Sequence, residues 1–463
     1  MPKHSLKRYI GDKAFYKMLM AVAVPIMLQN GLTNLVSLLD NIMVGAVGTD
    51  QMSGVSIVNQ LLFVFNLCIF GAVAGPGILS AQFFGKGDVE GVRHTMRAKL
   101  YLALGVAAAF LAALLCAGEP LISLFLHESN DGLDLMATLN YGRSYLGVIV
   151  LQLIPFGITQ AYSGTLRESG ETLLPMKASI SAVFVNLCLN YVLIFGKLGA
   201  PALGVVGAAL ATVIARIVEC AIVIIWTHAH RERCPYSVGL FRTLRVPAAL
   251  MRKIAVIGLP LLFNELLWSI GMTTFNQCYS TRGLEVVSAL NIASTVSNLF
   301  ICVFVAMGSA SGIIVGQLLG AGELERAVTE NRKLIIFTII LNVAVGLVMA
   351  SIASFIPQIY NTTDTAKQIA THMLLISAAM MPFCSFTNAV YFTLRAGGKS
   401  GLTFLFDSGF NWIIAVPLAF FLSRGTAMAI IPMYACIQAL ELIKCIFGAI
   451  VLRSKIWVNN LVK

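Results

Sequence analysis

The sequence predicts an all-α polytopic membrane protein, with twelve transmembrane helices in two pseudo-symmetric six-helix lobes. Three observations predict it. Hydrophobic residues make up 58% of the 463-residue chain, charged ones only 11%, and mean hydropathy is +0.85. An ordinary soluble domain is nearer about a quarter charged. The apolar residues gather in runs of roughly 20, the length a helix needs to cross the ~30 Å hydrocarbon layer. The second half of the chain then repeats the first at a fixed offset. So few charges could not cover the apolar surface of a soluble globule. A soluble enzyme and a disordered chain are both excluded.

The twelve runs span 15–41, 53–83, 100–117, 136–163, 173–196, 202–228, 254–280, 288–318, 334–356, 368–393, 401–422 and 427–451. They are continuous, whereas a membrane barrel shows ~10-residue alternating segments. Helices satisfy their own backbone groups in lipid. The first run carries Pro25 and Asp40 and is too long for a leader's apolar core, so no cleaved signal is expected. The second closes on a glycine-rich stretch, and the third follows the basic Arg93, Arg97 and Lys99. The fourth holds Pro155, the fifth Asn186 and Asn190, and the sixth Arg216 and Glu219. After a polar connection, the seventh run carries Pro260, Glu265 and Trp268. The eighth is again glycine-rich at its end, and the ninth has no acidic residue. The tenth holds Pro382, the eleventh Asp407, and the twelfth Glu441 with Lys444. The ten cysteines are scattered with no CxxC pair, so neither a disulfide framework nor a metal site is implied.

The net charge of +11 is laid out by topology. With the N-terminus inside, 25 of the 32 basic residues fall on inner loops and 5 on outer ones. This is the positive-inside pattern of a cytoplasmic-membrane protein with both termini in the cytoplasm. The basic excess meets anionic lipid headgroups; no nucleic-acid partner is expected.

The stretch around 231–253 separates an N-terminal lobe (1–230) from a C-terminal lobe (254–463). At an offset of 235, Pro25 meets Pro260, Asn41 meets Asn276, Gln82 meets Gln317, and Gly85 and Gly87 meet Gly320 and Gly322. AQFFGKGDVE (81–90) lies over GQLLGAGELE (316–325), and LRESGET (166–172) over LRAGGKS (394–400). Six helices per repeat keep both halves in one orientation, so these are parallel repeats related by an axis along the membrane normal. Such a two-lobe bundle suits alternating access. The glycines of GKG and GAG complete no dinucleotide loop and are expected to terminate helices. GGKS lacks the first glycine of a phosphate loop, and GSASG has Ala310 where a hydrolase nucleophile would stand. No enzymatic activity and no cofactor are expected, and with no nucleotide-binding loop energy would come from an ion gradient or none.

Pro25 followed by Asp40, SxxxIxNQ (53–60), GxxxGPGILSAQFFGKGD (71–88), GSASGIIVGQLLGAGE (308–323), TLRESGET, TLRAGGKS, Asn186-x-x-x-Asn190 and FDSGFNWIIAVPLAFFLS (406–423) resemble the multidrug and toxic compound extrusion (MATE) family. The resemblance covers essentially the whole chain. It implies export of small organic, often cationic, compounds in exchange for protons or sodium ions. The chain departs from one branch of the family. That branch has a Glu eight residues after the seventh-helix Pro and an Asp eleven residues before the tenth-helix Arg; here those places hold Trp268 and Cys384. Coupling is therefore expected in the first lobe.

Intramembrane acids are costly and are functional candidates by default. Arg216 with Glu219, and Glu441 with Lys444, are spaced to neutralise each other on one helix face. Asp407 reads as a structural group bonding inner loops or reaching the interface. Asp40 is either a solvated helix-end residue or the coupling carboxyl of a small polar cavity, with Asn186 and Asn190. Glu265, Asn34 and Trp268 are candidates for a substrate cavity, and Pro25 and Pro260 for hinges. A monomer in contact with membrane lipids is expected. The alternatives are a lipid-linked oligosaccharide or lipid flippase of the same broad superfamily and, further off, a membrane-embedded enzyme.

Overall fold

The computed structural model describes residues 9–123, 134–360 and 362–463. Twelve helices long and apolar enough to cross a membrane follow one another. They are α1 (Lys13–Gly45), α2 (Thr49–Lys86), α3 (Val89–Ser123), α4 (Leu135–Glu168), α5 (Leu173–Phe195) and α6 (Val205–Ala229). The second set is α7 (Ala248–Ser280), α8 (Leu284–Gly320), α9 (Leu324–Ile352), α10 (Asp364–Ala396), α11 (Ser400–Gly425) and α12 (Ile430–Ser454). Among the described residues there is no β-strand.

Helix ends are set by local chemistry. Asp134 caps α4 by accepting from the backbone N–H of Met136 at 3.0 Å and Ala137 at 3.1 Å, and Thr363 caps α10 through Ala366 N–H. α2 and α8 stop where Gly87 and Gly322 take φ of +77° and +80°, a left-handed turn open to glycine at little cost. The helix-ending role read for GKG and GAG is thus realised in both repeats. Several helices overrun their apolar runs. α3 begins at Val89 although its run begins at about 100, because its basic residues find partners. Lys99 is fully buried, paired with Glu168, and donates to Thr165 Oγ1 at 3.0 Å.

The chain packs as two compact units. One comprises 28–80 and 88–258; the other comprises 1–27, 81–87 and 259–463. The core of the first gathers Val58, Phe65 and Ile69 of α2 with Ile149 and Leu153 of α4 and Ala209 and Val213 of α6. Its connection after α6 is strapped to α3. Arg97, itself buried, donates to the carbonyls of Leu240 at 2.7 Å, Gly239 at 2.9 Å and Arg245 at 3.3 Å, while Tyr236 and Cys234 are buried beneath.

The second unit has two cores. Ala293 and Val296 of α8 pack with Met373, Met381 and Met433. Leu19, Ala23 and Ile26 of α1 pack with Met307, Ile314, Leu394 and Trp457. Within this unit the repeated motifs meet each other. A side chain at Gly85 would strike the backbone carbonyl of Gln317, and one at Gly320 would strike that of Gln82. Gln82 donates to the carbonyls of Ala396 at 2.9 Å and Asn459 at 3.3 Å and accepts from Leu461 N–H at 2.7 Å.

Candidate functional site

In the first unit, α1, α5 and α6 enclose a cavity of about 60 Å³ lined by residues that include Thr33, Asp40, Ser179, Asn186, Thr212 and Arg216. That volume admits a few waters or one small cation, since one water needs roughly 10–15 Å³ on this measure. Asn186 and Asn190 are one helical turn apart on α5 and both are buried. Asn190 Nδ2 donates to Asp40 Oδ1 at 2.6 Å and to Asn186 Oδ1 at 3.2 Å. Asn186 Nδ2 in turn donates to Thr212 Oγ1 at 3.2 Å. Asn190 Oδ1 is buried and accepts no hydrogen bond. The structure therefore brings Asp40, Asn186 and Asn190 together and adds Thr212.

The charge around this cavity is sorted. Arg216 lines it, yet its guanidinium lies 2.7 Å from Glu219, which is buried and also accepts from Ser179. Ser179 accepts from Gln29 Nε2 at 2.6 Å, and Gln29 accepts from Arg167. Arg216 pairs with Glu219, as their spacing predicts, whereas Asp40 is hydrogen-bonded to Asn190 and forms no ion pair among the described residues. Oxygens of one carboxylate, two amides and one hydroxyl are the donor set that hard cations take, and a carboxylate can equally take a proton. Asn34 is exposed and does not line the cavity.

In the second unit a larger cavity of about 290 Å³ is lined by residues that include Trp268, Phe275, Tyr279, Met381, Phe410 and Tyr434. Trp268 stands in its wall; Glu265 does not, and instead accepts from Tyr391 Oη at 2.9 Å. Cys384 is also in this wall. α1 and α7 run on as helices through Pro25 and Pro260.

Sequence reasoning missed Thr212 and the reach of Lys444. Thr212, Arg216 and Glu219 share one face of α6 at i, i+4 and i+7, a legible signal once one of them is assigned. Lys444 lies 2.8 Å from Asp407 and 3.9 Å from Glu441, so its closer partner is on α11 rather than on its own helix. No spacing rule within a helix could give that contact.

Among the described residues, twelve helices long and apolar enough to span a bilayer, drawn from a duplicated sequence, define a multi-pass membrane protein. The MatE family model matches residues 25–192 and 260–421. The chain belongs to the MatE family and is a transporter, not an enzyme. It is 26% identical over 406 residues to the probable multidrug resistance protein NorM of Thermotoga maritima, covering 87% of this chain and 85% of that one. It is 26% identical over 426 residues to the probable multidrug resistance protein YoeA of Bacillus subtilis, covering 88% and 87%. Its fold matches an outward-facing multidrug resistance MATE family transporter of the MOP superfamily at TM-score 0.83 and 18% identity, over 98% of this chain and 99% of that one. A MOP superfamily transporter from Pyrococcus furiosus matches equally at TM-score 0.83 and 19% identity, over the same shares.

Proposed function

We propose that the protein is a secondary antiporter that exports small organic, often cationic, compounds across the cytoplasmic membrane in exchange for protons or sodium ions. The observation that carries the coupling reading is the Asp40–Asn190–Asn186–Thr212 chain around a cavity of about 60 Å³. Asp40 is the one group there whose charge a proton cancels or a sodium ion balances. The unsatisfied Asn190 Oδ1 supplies a further acceptor, and a buried unpaired acceptor calls for a partner. The substrate class rests on the multidrug resistance names of the relatives.

The hinge reading of Pro25 and Pro260 has support in the division into units. The boundary in α1 falls between Met27 and Leu28, two residues past Pro25, and in α7 between Gly258 and Leu259, just before Pro260. A proline removes one helical hydrogen bond and leaves a natural place to bend. The protein acts as a monomer in contact with lipid.

Coupled uptake into liposomes under an imposed pH gradient, then a sodium gradient, tests the antiport. Uptake of a dye panel indifferent to both gradients would refute it. Orientation is tested separately. Thr243→Cys in a cysteine-free background sits in the exposed connection and is expected to resist impermeant thiol reagents in intact cells. Labelling without permeabilisation would invert the topology.

A further inference from the structure

We propose that the connection between α6 and α7 is an anchor for anionic phospholipid, with Val238, Phe241 and Leu244 seated among the acyl chains and Arg242 and Arg245 holding the headgroup phosphate. The proposal goes beyond the export reading and does not depend on what is exported. The connection is a built surface, held from beneath. Tyr236 and Leu240 are buried against the bundle, and Gly239 takes φ of +72°. Buried Arg97 of α3 binds the carbonyls of Gly239, Leu240 and Arg245, and Arg93 Nε donates to that of Tyr236 at 3.3 Å. With the backbone so fixed, Val238, Phe241 and Leu244 are turned out, 48%, 60% and 64% exposed. Single exposed apolar residues need no explanation, but three large ones on one short, rigid stretch mark a contact surface.

Two helices fix the depth of this surface. The Tyr101 hydroxyl of α3 donates to the Leu244 carbonyl, and Tyr101 is the second residue of the apolar run that begins at about 100. The Phe241 ring stacks on His228, with centroids 5.9 Å apart and planes at 29°, and His228 closes the run 202–228. Phe241 and Leu244 therefore lie where two spans leave the hydrocarbon, the level at which tyrosine and tryptophan gather in membrane proteins. Charge then selects the lipid. From 229 to 253 the chain carries six basic residues and one acidic residue, Glu232. Arg233 has Glu171 at 3.8 Å, whereas Arg242 and Arg245 are exposed and form no ion pair among the described residues. A guanidinium is weakly hydrated and matches phosphate oxygens in pairs. A zwitterionic headgroup offers the same phosphate but cancels its charge with its own ammonium; an anionic one does not. A linker in water needs no exposed apolar row, and a packed loop needs no unpaired arginines. A segment lying in the interface uses both.

The test reads depth and lipid choice at one position. Phe241→Cys in a cysteine-free background is labelled with the fluorophore NBD, and the full chain is reconstituted in vesicles of phosphatidylcholine and phosphatidylglycerol in equal parts. The quencher is either lipid carrying the same nitroxide high on its acyl chain. Both lipids occupy both leaflets, so the result is independent of orientation. Acyl-chain nitroxide should quench the label at 241 and a water-soluble nitroxide should not; a label at Glu232→Cys, in the polar start of the connection, should show the reverse. Phosphatidylglycerol should be preferred at 241 by about tenfold or more, since each basic residue near an anionic surface contributes about 1 kcal/mol. Arg242→Gln with Arg245→Gln should bring the two lipids within about twofold of each other, and Arg242→Lys with Arg245→Lys should keep the preference, which separates lost charge from a displaced connection. Leu244→Cys, labelled in the same way, carries the same reading if Phe241→Cys loses the parent's elution profile. Quenching from water alone would make the connection a solvated linker and overturn the proposal. Equal quenching by the two lipids with both arginines present, or a preference that survives the double glutamine variant, would overturn it too.

Discussion

Asp40→Asn is expected to abolish gradient-driven export while leaving the protein folded. The substitution preserves size, and Asn190 Nδ2, now 2.6 Å from Asp40 Oδ1, can donate equally to an amide oxygen. What disappears is the charge. With Arg216 paired to Glu219 at 2.7 Å, the cavity wall of the variant keeps no carboxyl that exchanges a proton or balances a sodium ion. An ion shifts a conformational equilibrium only by its differential affinity for the two states, so without that affinity the gradient does no work. One pH unit is worth about 1.4 kcal/mol per proton, which at one-for-one exchange sustains about a tenfold substrate ratio. Wild-type protein in liposomes should approach that ratio per unit under the gradient it uses. The variant should remain at the level of protein-free vesicles under both gradients. Wild-type accumulation by the variant under both would return Asp40 to a solvated helix-end role.

Sequence reading reached the membrane class, the twelve spans and the duplication because these are carried by composition and by linear spacing. It grouped Asp40 with Asn186 and Asn190 through the family resemblance, whose motif sets the two asparagines one turn apart on the fifth helix. What it could not reach are contacts between helices distant in sequence. Lys444 has Glu441 at the favourable i−3 position, and nothing local shows that Asp407, 37 residues earlier, lies closer. Glu265 and Trp268, three residues apart, read as joint candidates for one cavity; Tyr391 on α10 takes the carboxylate, and the indole alone enters the cavity wall. The apolar runs also understated the helices, since the N-terminal end of α3 is polar in sequence and is held by Glu168 and the connection carbonyls.

The repeated glycines yield the second large effect, on stability. Gly320→Ala is expected to lower the thermal midpoint of the purified protein sharply, and Gly85→Ala to do the same. In each repeat the added Cβ would run into a backbone carbonyl, that of Gln82 for position 320 and that of Gln317 for position 85. A side chain can rotate away; a carbonyl within a helix moves only with its helix. Overpacking typically costs about 1–3 kcal/mol, occasionally more, and here relief requires α2 and α8 to separate. Separation would also strain the bonds Gln82 makes to Ala396, Asn459 and Leu461. The control is Gly105→Ala in α3, where nothing lies within 4 Å of the added carbon. There alanine should be neutral or stabilise by about 0.5–1 kcal/mol, because glycine loses more backbone freedom in a helix. Because both substitutions push on one crossing, the double variant should lose less than the sum of the singles; residues that share a contact are not additive. Thermal unfolding followed by intrinsic fluorescence in one detergent measures the parent and all four variants. A Gly320→Ala midpoint no lower than that of Gly105→Ala would show that the crossing has slack and that the doubled glycines serve only to end helices.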